Sequence, residues 1–471
     1  MPIAIRVHNT LTGKKDILKP LKGKRVNFFV CGPTVYDFAH IGHARTYVIF
    51  DCFAKYLKFR GFDVFYLQNV TDTDDKIIAR AREKGVLPKD LAEAFLTEHL
   101  KDMKLLGITS VKKYAKATSH IKEIISQVKR LMEKGYAYSL EDGIYFDIGK
   151  FKNYGKLSGR NALQAEDAVS RIDYNTHKKN RGDFCLWKLN TGVDGEPSWP
   201  SPFGGGRPGW HIEDTAITEK FFGDQYDIHG GGRDLIFPHH EAEVAQMEAL
   251  SGKRPLAGIW MHTGFLTINE QKMSKSLDNS ITIDTFLKRY SVGQLRFWIA
   301  KNLWHSPMNY SESTMIEIKA GLEKMEEFLR KIKATKVSKV IEVTNVKKLL
   351  QTVKQDFYEA LDDDFNTPKA FGVLFDFIKE SNIHLSHNKI SKKEAVDIFK
   401  FFMEINIIFG IFDGKNLVQG EAPPEIKNLL KDRQQFRDAK DWQKADQVRQ
   451  EIEKYGYTVQ DTKEGQALVK K

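Results

Sequence analysis

Arg25-Val26-Asn27-Phe28-Phe29-Val30 is followed ten residues later by His40-Ile41-Gly42-His43, and the reading of that junction decides the fold. The first run is apolar, carries β-branched and aromatic residues, and is stopped by Gly32-Pro33, so it reads as a buried strand. A helix is expected to begin near Ala39 and to continue through Arg45-Thr46-Tyr47-Val48-Ile49-Phe50. A strand feeding a helix at the carboxyl edge of a parallel sheet is where α/β proteins hold nucleotides. His40 and His43, three apart, share one face near the helix start, where N–H donors and the helix dipole can both face phosphate. Gly42 between them leaves backbone bare enough for an adenine ring to lie close.

More than two hundred residues later comes Lys272-Met273-Ser274-Lys275-Ser276. Lys272 and Lys275 are compact charges suited to a departing pyrophosphate. A histidine pair alone is commonly a helix cap, and a lysine-serine string alone is commonly a solvated loop. Their joint occurrence, in this order and with strand-like flanks, points to adenylate chemistry.

The 471 residues are too many for one ordinary core and suggest about three or four domains. Lys and Arg number 73 against 62 acidic residues, a formal charge of +11, which supports a polyanionic partner without proving one. Three widely spaced cysteines, Cys31, Cys52 and Cys185, argue against a disulfide framework and for a reducing compartment. Met1-Pro2-Ile3-Ala4-Ile5-Arg6 lacks an apolar signal region, and no window approaches a membrane span, so a cytoplasmic location is expected.

Residues 1–125 read as the first half of an α/β nucleotide fold, with a second strand over Asp63–Val70 and helices near 74–83, 91–106 and 121–136. Residues 126–205 turn to short strands and breakers and read as an insertion that ends in the turn-rich Pro200-Ser201-Pro202-Phe203-Gly204-Gly205-Gly206-Arg207-Pro208. The α/β pattern resumes over 206–265, with Gly230-Gly231-Gly232-Arg233-Asp234 closing a strand-like run, and 266–314 holds the lysine-serine loop. Over 315–415 the apolar residues recur at helical spacing, as in Leu349, Leu350, Val353, Phe357 and Leu361, or Phe371, Leu374, Phe375 and Ile378, the pattern of a helix bundle. Gly420-Glu421-Ala422-Pro423-Pro424 reads as a linker within a small, charged terminal domain over 416–471.

The histidine and lysine motifs resemble the HIGH and KMSKS signatures of class I aminoacyl-tRNA synthetases. Phe29-Val30-Cys31-Gly32-Pro33-Thr34-Val35-Tyr36-Asp37, Gly209-Trp210-His211-Ile212-Glu213 and Phe237-Pro238-His239-His240-Glu241 resemble, more specifically, the cysteinyl-tRNA synthetases. The similarity runs from near the N-terminus to about Asp461. It implies a Rossmann-like catalytic domain with an insertion, an all-α bundle and a C-terminal anticodon-binding domain. It also implies ATP-dependent attachment of L-cysteine to tRNA(Cys) through a cysteinyl-adenylate, with release of AMP and diphosphate, by a protein expected to be a monomer.

By the same resemblance His40 and His43 sit at the ATP phosphates, and Lys272 and Lys275 neutralise charge as pyrophosphate leaves. Mg²⁺ accompanies ATP, held mainly by its phosphates. Gly231, Gly232 and Asp234 resemble the nucleotide-contact loop, and Gly32, Thr71 and Trp210 the cysteine pocket. His211 and His229 orient the substrate, assist loss of the thiol proton, or make ordinary hydrogen bonds.

Serine differs from cysteine only in oxygen for sulfur, and an apolar pocket rejects such a near-isostere poorly. A zinc ion that prefers sulfur solves the problem. His239 and Glu243, four apart, share a helical face, and Cys31 ends the first strand. The family places zinc on two cysteines, a histidine and a glutamate, and three of these match Cys31, His239 and Glu243. The fourth position holds Asp214, itself a competent zinc ligand with the charge of a thiolate. The expectation is therefore one zinc on Cys31, Asp214, His239 and Glu243, harder and more Lewis-acidic than a two-cysteine site. A site that has lost its metal and selects by shape is the competing reading, and His240 remains an alternative to His239.

Near the C-terminus Arg433, Arg437, Lys440, Trp442 and Lys444 form a basic stretch with one aromatic residue, suited to gripping phosphate while stacking a base. Arg437, Trp442, Asp446 and Asp461 resemble the family's anticodon-reading positions. Without the resemblance, the same stretch reads as solvated surface with a packing anchor. A cysteine–amino-sugar ligase of the mycothiol type shares the catalytic half but lacks a full anticodon module. A non-catalytic tRNA-binding relative has no need of both motifs, and a nucleotidylyltransferase is disfavoured by the length and the helical third.

Overall fold

A computed structural model describes residues 4–160, 175–192, 195–273, 280–336, 346–413, 424–462 and 465–470. Lys275 and residues 420–423 of the expected linker lie outside the described residues, as does the side chain of Lys272. The chain divides into two units, Met1–Ile411 and Phe412–Lys471. Among the described residues no helix is long and apolar enough to cross a membrane.

The first unit opens with the antiparallel pair β1 (Arg6–Asn9) and β2 (Lys14–Ile17). The quoted apolar run forms β3 (Arg25–Val30) and leads to α1 (Ile41–Phe59), two residues later than expected. Then follow β4 (Asp63–Val70), α2 (Asp75–Lys84), α3 (Pro88–Leu105), β5 (Val111–Lys116) and α4 (Ile121–Glu133). The insertion contributes β6 (Ala137–Leu140), β7 (Gly143–Phe146), β8 (Phe184–Leu189) and β9 (Gly206–Pro208) as an antiparallel sheet. Next come α5 (Ile212–Phe222), β10 (Tyr226–Gly232), α6 (Glu241–Ser251) and β11 (Ala257–Thr263).

The central sheet is parallel and ordered β11-β10-β3-β4-β5. From β3 the chain adds strands on one side, then crosses back to lay β10 against the other edge of β3. The strand order therefore reverses between β3 and β10, and ligands bind outside the carboxyl ends of strands at such a switch point. Cys31 and Gly32 leave β3 there, and Gly231 and Gly232 end β10 beside them.

Two expected boundaries fall at elements that share one core. The 125/126 division falls inside α4, whose Ile124, Val128 and Leu131 are fully buried. The 205/206 division falls just before β9, which pairs with β8 and keeps three more residues in the insertion sheet. The physical reason is one continuous core that joins Phe29 of β3, Leu131 of α4, Phe146 and Trp187 of the insertion, and Trp260 of β11. Each such fully buried side chain contributes roughly 1.5–3 kcal/mol, so the insertion is cemented to the nucleotide fold.

Strands β12 (Leu266–Ile268) and β13 (Gln271–Lys272), helices α7 (Ile283–Leu287) and α8 (Val292–Ala300), and β14 (Met308–Tyr310) follow, with β14 parallel to β12. The bundle is α9 (Glu312–Ala334), α10 (Val346–Asp362), α11 (Thr367–Ser386) and α12 (Lys392–Phe409). Its expected stripes are buried except at Leu349 and Phe375, which are half-buried, while Phe377 is buried. Helix α1 packs against both α8 and α12, which explains why it is apolar nearly all round. The second unit consists of α13 (Pro424–Asp438), α14 (Trp442–Lys454) and the hairpin β15 (Tyr457–Thr462) and β16 (Gly465–Lys470).

Candidate active site

Two separate stretches bring their acids and histidine to the end of β3. His239 lies in the turn before α6, Asp214 in the first turn of α5, and Glu243 in the first turn of α6. His239 Nε2 is 3.5 Å from Cys31 Sγ, 3.1 Å from Asp214 Oδ2 and 3.3 Å from Glu243 Oε1. Asp214, His239 and Glu243 are fully buried. The four residues expected as metal ligands thus meet around one nitrogen. His240 is also close enough to serve with Cys31, and His229, His240 and Glu243 form a further overlapping group.

The surroundings fit a cation. Both carboxylate oxygens of Glu243 are buried without a hydrogen-bond partner. Burial, then Asp214 and Glu213, push the Glu243 carboxyl well above its usual range. Burial, then Asp214 and Glu243, push the Cys31 thiol up. A sulfur, an imidazole nitrogen and two carboxylates form the donor set zinc takes. The supporting contacts also fit: His239 Nδ1 lies 2.8 Å from His211 Nδ1, which fixes the ring with Nε2 facing the acids. Asn69 Nδ2 donates to Asp214, and Asn69 Oδ1 accepts from the Gly32 N–H at 2.5 Å.

Gly32 has to be glycine, because a Cβ there would stand 1.8 Å from the Asn69 carbonyl oxygen. It lines a cleft of about 420 Å³ together with Cys31, Trp210, His40, His43 and Asp234. Trp210 stacks on His239 with centroids 4.3 Å apart. Thr71 stands behind this wall, its hydroxyl donating to buried Glu213. His211 supports His239, and His229 Nδ1 lies 2.7 Å from the Tyr226 hydroxyl; burial lowers the pKa of both imidazoles well below the ordinary value.

At the other end of the cleft the His40 and His43 rings stack at 3.8 Å, and the His40 N–H donates to His43 Nδ1 at 3.2 Å. The pair caps α1 as well as facing the cleft. Gly42 lines the cleft opposite Met273. Gly232 and Asp234 reach the same space, but Gly231 does not line it. A Cβ on Gly231 would meet the His240 ring at 2.6 Å, so its small size serves the buried histidine cluster.

Two residues were missed in sequence. Asn69 joins Asp214 to Gly32, and its signal was a polar pair, Gln68-Asn69, at the end of an apolar strand. Arg45 is, with Asp51, a buried charge of α1 and donates to four backbone carbonyls, of Gly264, Phe265, Trp304 and Ser306.

In the second unit Asp461 accepts from Arg433 at 2.9 and 3.1 Å and pairs with Arg437. Those hydrogen bonds, Arg433 first, hold its carboxyl well below the usual carboxylate range. Arg437 and Asp461 therefore satisfy each other, while Trp442, at the start of α14, is 59% exposed and Asp446 is exposed beside it.

The fold has solved counterparts. Mycobacterium tuberculosis methionyl-tRNA synthetase, in complex with methionyl-adenylate, superposes with a TM-score of 0.63 over 84% of this chain and 94% of that one, at 16% identity. The family model for the class I (C) tRNA synthetase catalytic domain matches residues 17–320. Fold and cleft together define a class I aminoacyl-tRNA synthetase.

A DALR domain matches 356–413, and a cysteinyl-tRNA ligase anticodon binding domain matches 419–467. The cysteine–tRNA ligase of Thermococcus gammatolerans is 43% identical over 98% of both chains, and that of Thermoplasma volcanium 44% identical over 97% of both. The chain belongs to the cysteinyl-tRNA ligase family.

Proposed function

We propose that this chain attaches L-cysteine to tRNA(Cys) in two steps in one cleft, forming cysteinyl-adenylate from ATP and then transferring the cysteinyl group to the terminal ribose. The observation that carries this reading is the sulfur-, nitrogen- and carboxylate-lined group at Cys31, which borders the cleft that His40 and His43 face. Cys31, Asp214, His239 and Glu243 would hold one zinc ion. When bound, zinc would supply a soft Lewis-acid partner for the substrate sulfur that a serine hydroxyl matches poorly.

The protein's own groups do the rest by position and charge. Gly32 and Trp210 wall the amino-acid end, with Thr71 and His211 bracing it from behind. His40, His43 and Gly42 receive the ATP phosphates and adenine, and Gly232 and Asp234 face the nucleotide, with Gly231 shaping the loop behind them. Lys272 and Lys275 take up negative charge as pyrophosphate departs, and Mg²⁺ travels with ATP. The second unit takes the tRNA, Trp442 and Asp446 presenting open surface and Arg437 and Asp461 a preformed ion pair. The chain works as a cytoplasmic monomer in this reading.

ATP–pyrophosphate exchange with each amino acid, followed by aminoacylation of transcripts that differ only in the anticodon, tests the proposal. Exchange driven by cysteine alone, with charging confined to the cysteine anticodon, is the expected result. Exchange with another amino acid, or none, would discard it.

A further inference from the structure

The turn that joins α10 to α11 holds two adjacent residues in the left-handed backbone region, Asp364 at φ 70° and Phe365 at φ 47°. That conformation is costly for side chains other than glycine, above all for a phenylalanine, and persists only where surrounding contacts enforce it. The contacts are unusually many. The Asp364 N–H donates to the Arg6 carbonyl at 2.8 Å, and its Oδ1 accepts from the His8 N–H at 2.8 Å. Its Oδ2 lies 3.1 Å from His305 Nε2, and its carbonyl accepts from Trp304 Nε1 at 2.9 Å. Phe365 is fully buried, and Thr367 donates to the Asn302 carbonyl at 3.3 Å.

The far side of the same segment meets the histidine helix. Arg45, two residues after His43, donates to the carbonyls of Trp304 and Ser306 on one side and of Gly264 and Phe265 on the other. The Gly264 N–H donates to the Trp304 carbonyl at 3.1 Å, and the Met308 N–H to that of Phe265 at 3.0 Å. Gly264 and Phe265 are the root of the β12–β13 hairpin, whose second strand ends at Lys272.

We infer that Asp364 is a positioning residue for the ATP half of the cleft: from the bundle it fixes the Trp304–Ser306 segment, against which Arg45 sets the lysine-bearing hairpin relative to His40 and His43. The inference rests on the cleft assigned above. It makes the bundle part of the adenylation machinery, although the lining of the cleft comes from within residues 31–47 and from residues 76, 95, 99, 210, 232–235, 263–266 and 273. The cysteine end hangs on β3, β4, α5 and α6 and lies outside this chain of contacts.

Asp364→Asn in the full chain is the test, since asparagine tolerates the left-handed backbone but cannot accept from both His8 and His305. ATP–pyrophosphate exchange is expected to fall 10- to 100-fold in kcat, the scale of about 1 Å of misplacement, with KM for ATP raised and KM for cysteine and zinc content within about twofold of the unmodified chain. His305→Phe should act in the same direction, and His305→Gln, which restores an N–H donor, should recover most of the loss. Hydrogen exchange at the Gly264 and Met308 amides should quicken in Asp364→Asn and His305→Phe. That readout holds whether or not the chain charges cysteine, so the inference fails separately from the proposed function. Unchanged exchange at those amides, or equal rises in KM for cysteine and ATP, would overturn it.

Discussion

Asp214 and Asp461 are two aspartates with opposite solutions to the same problem. Asp214 is fully buried beside a cysteine, a histidine and Glu243, and no guanidinium or ammonium is bonded to it among the described residues. Asp461 is partly exposed and finds its cations within its own unit, Arg433 and Arg437. Burying one unpaired anion is costly, and burying several together is more so. The proposed zinc ion would supply the charge that the first cluster lacks among the described residues, whereas Asp461 already has two cations beside it. The residue type is the same, and the surroundings set what each carboxylate can do.

The sharpest way to break that contrast is His239→Ala. Zinc measured by elemental analysis should fall from one per chain to none, and cysteine-dependent exchange should drop by more than the roughly 10–100-fold that a change in outer support gives. Retained activity in a zinc-free variant would place Asp214 with the self-contained acids after all. Asn69→Ala, which removes the support for Asp214, should weaken zinc affinity by about 10–100-fold, read by competition with a chelator. Asp214→Cys should keep the metal, because the charge is unchanged, and should raise the cysteine-to-serine ratio in exchange through a softer ion.

At the other pole, Asp461→Ala leaves the buried Arg433 guanidinium without its carboxylate. A loss of about 1–3 kcal/mol is expected in the second unit, seen in denaturant melts of Trp442 fluorescence, with tRNA charging reduced and pyrophosphate exchange intact. The smallest effect is in pH. The folded Asp461 carboxyl titrates lower than in an unfolded chain, so its contribution is present above about pH 4 and is lost as pH falls further. With a side chain 43% exposed, that loss should be at most about 1 kcal/mol, and absent in the alanine variant.

The nucleotide fold was legible because its signals are local. β3 shows an apolar run with a breaker, and α1 an apolar stretch opened by the histidine pair. The proposed metal set was legible in part: His239 and Glu243 share a helical face by spacing alone and Cys31 ends the first strand, whereas Asp214 joined them only through resemblance. Domain edges were not legible at 125/126 and 205/206, since α4 and β9 take their places from a core assembled by distant segments. Arg45 and Asp364 were invisible as linked positions, being 319 residues apart in number and joined only through Trp304, His305 and Ser306.

Periodicity, breakers and motif order thus determined by themselves that this chain has an α/β phosphate-handling half, a helical third and a charged terminal piece. Such patterns act over one strand or one helical turn, and the chain carries them wherever it goes. Only the tertiary structure decided which acids lack a cation, which glycine makes room for a histidine and which turn of the bundle braces the ATP cleft. Those are questions of distance and desolvation between segments that meet only after the sheet has closed around its switch point.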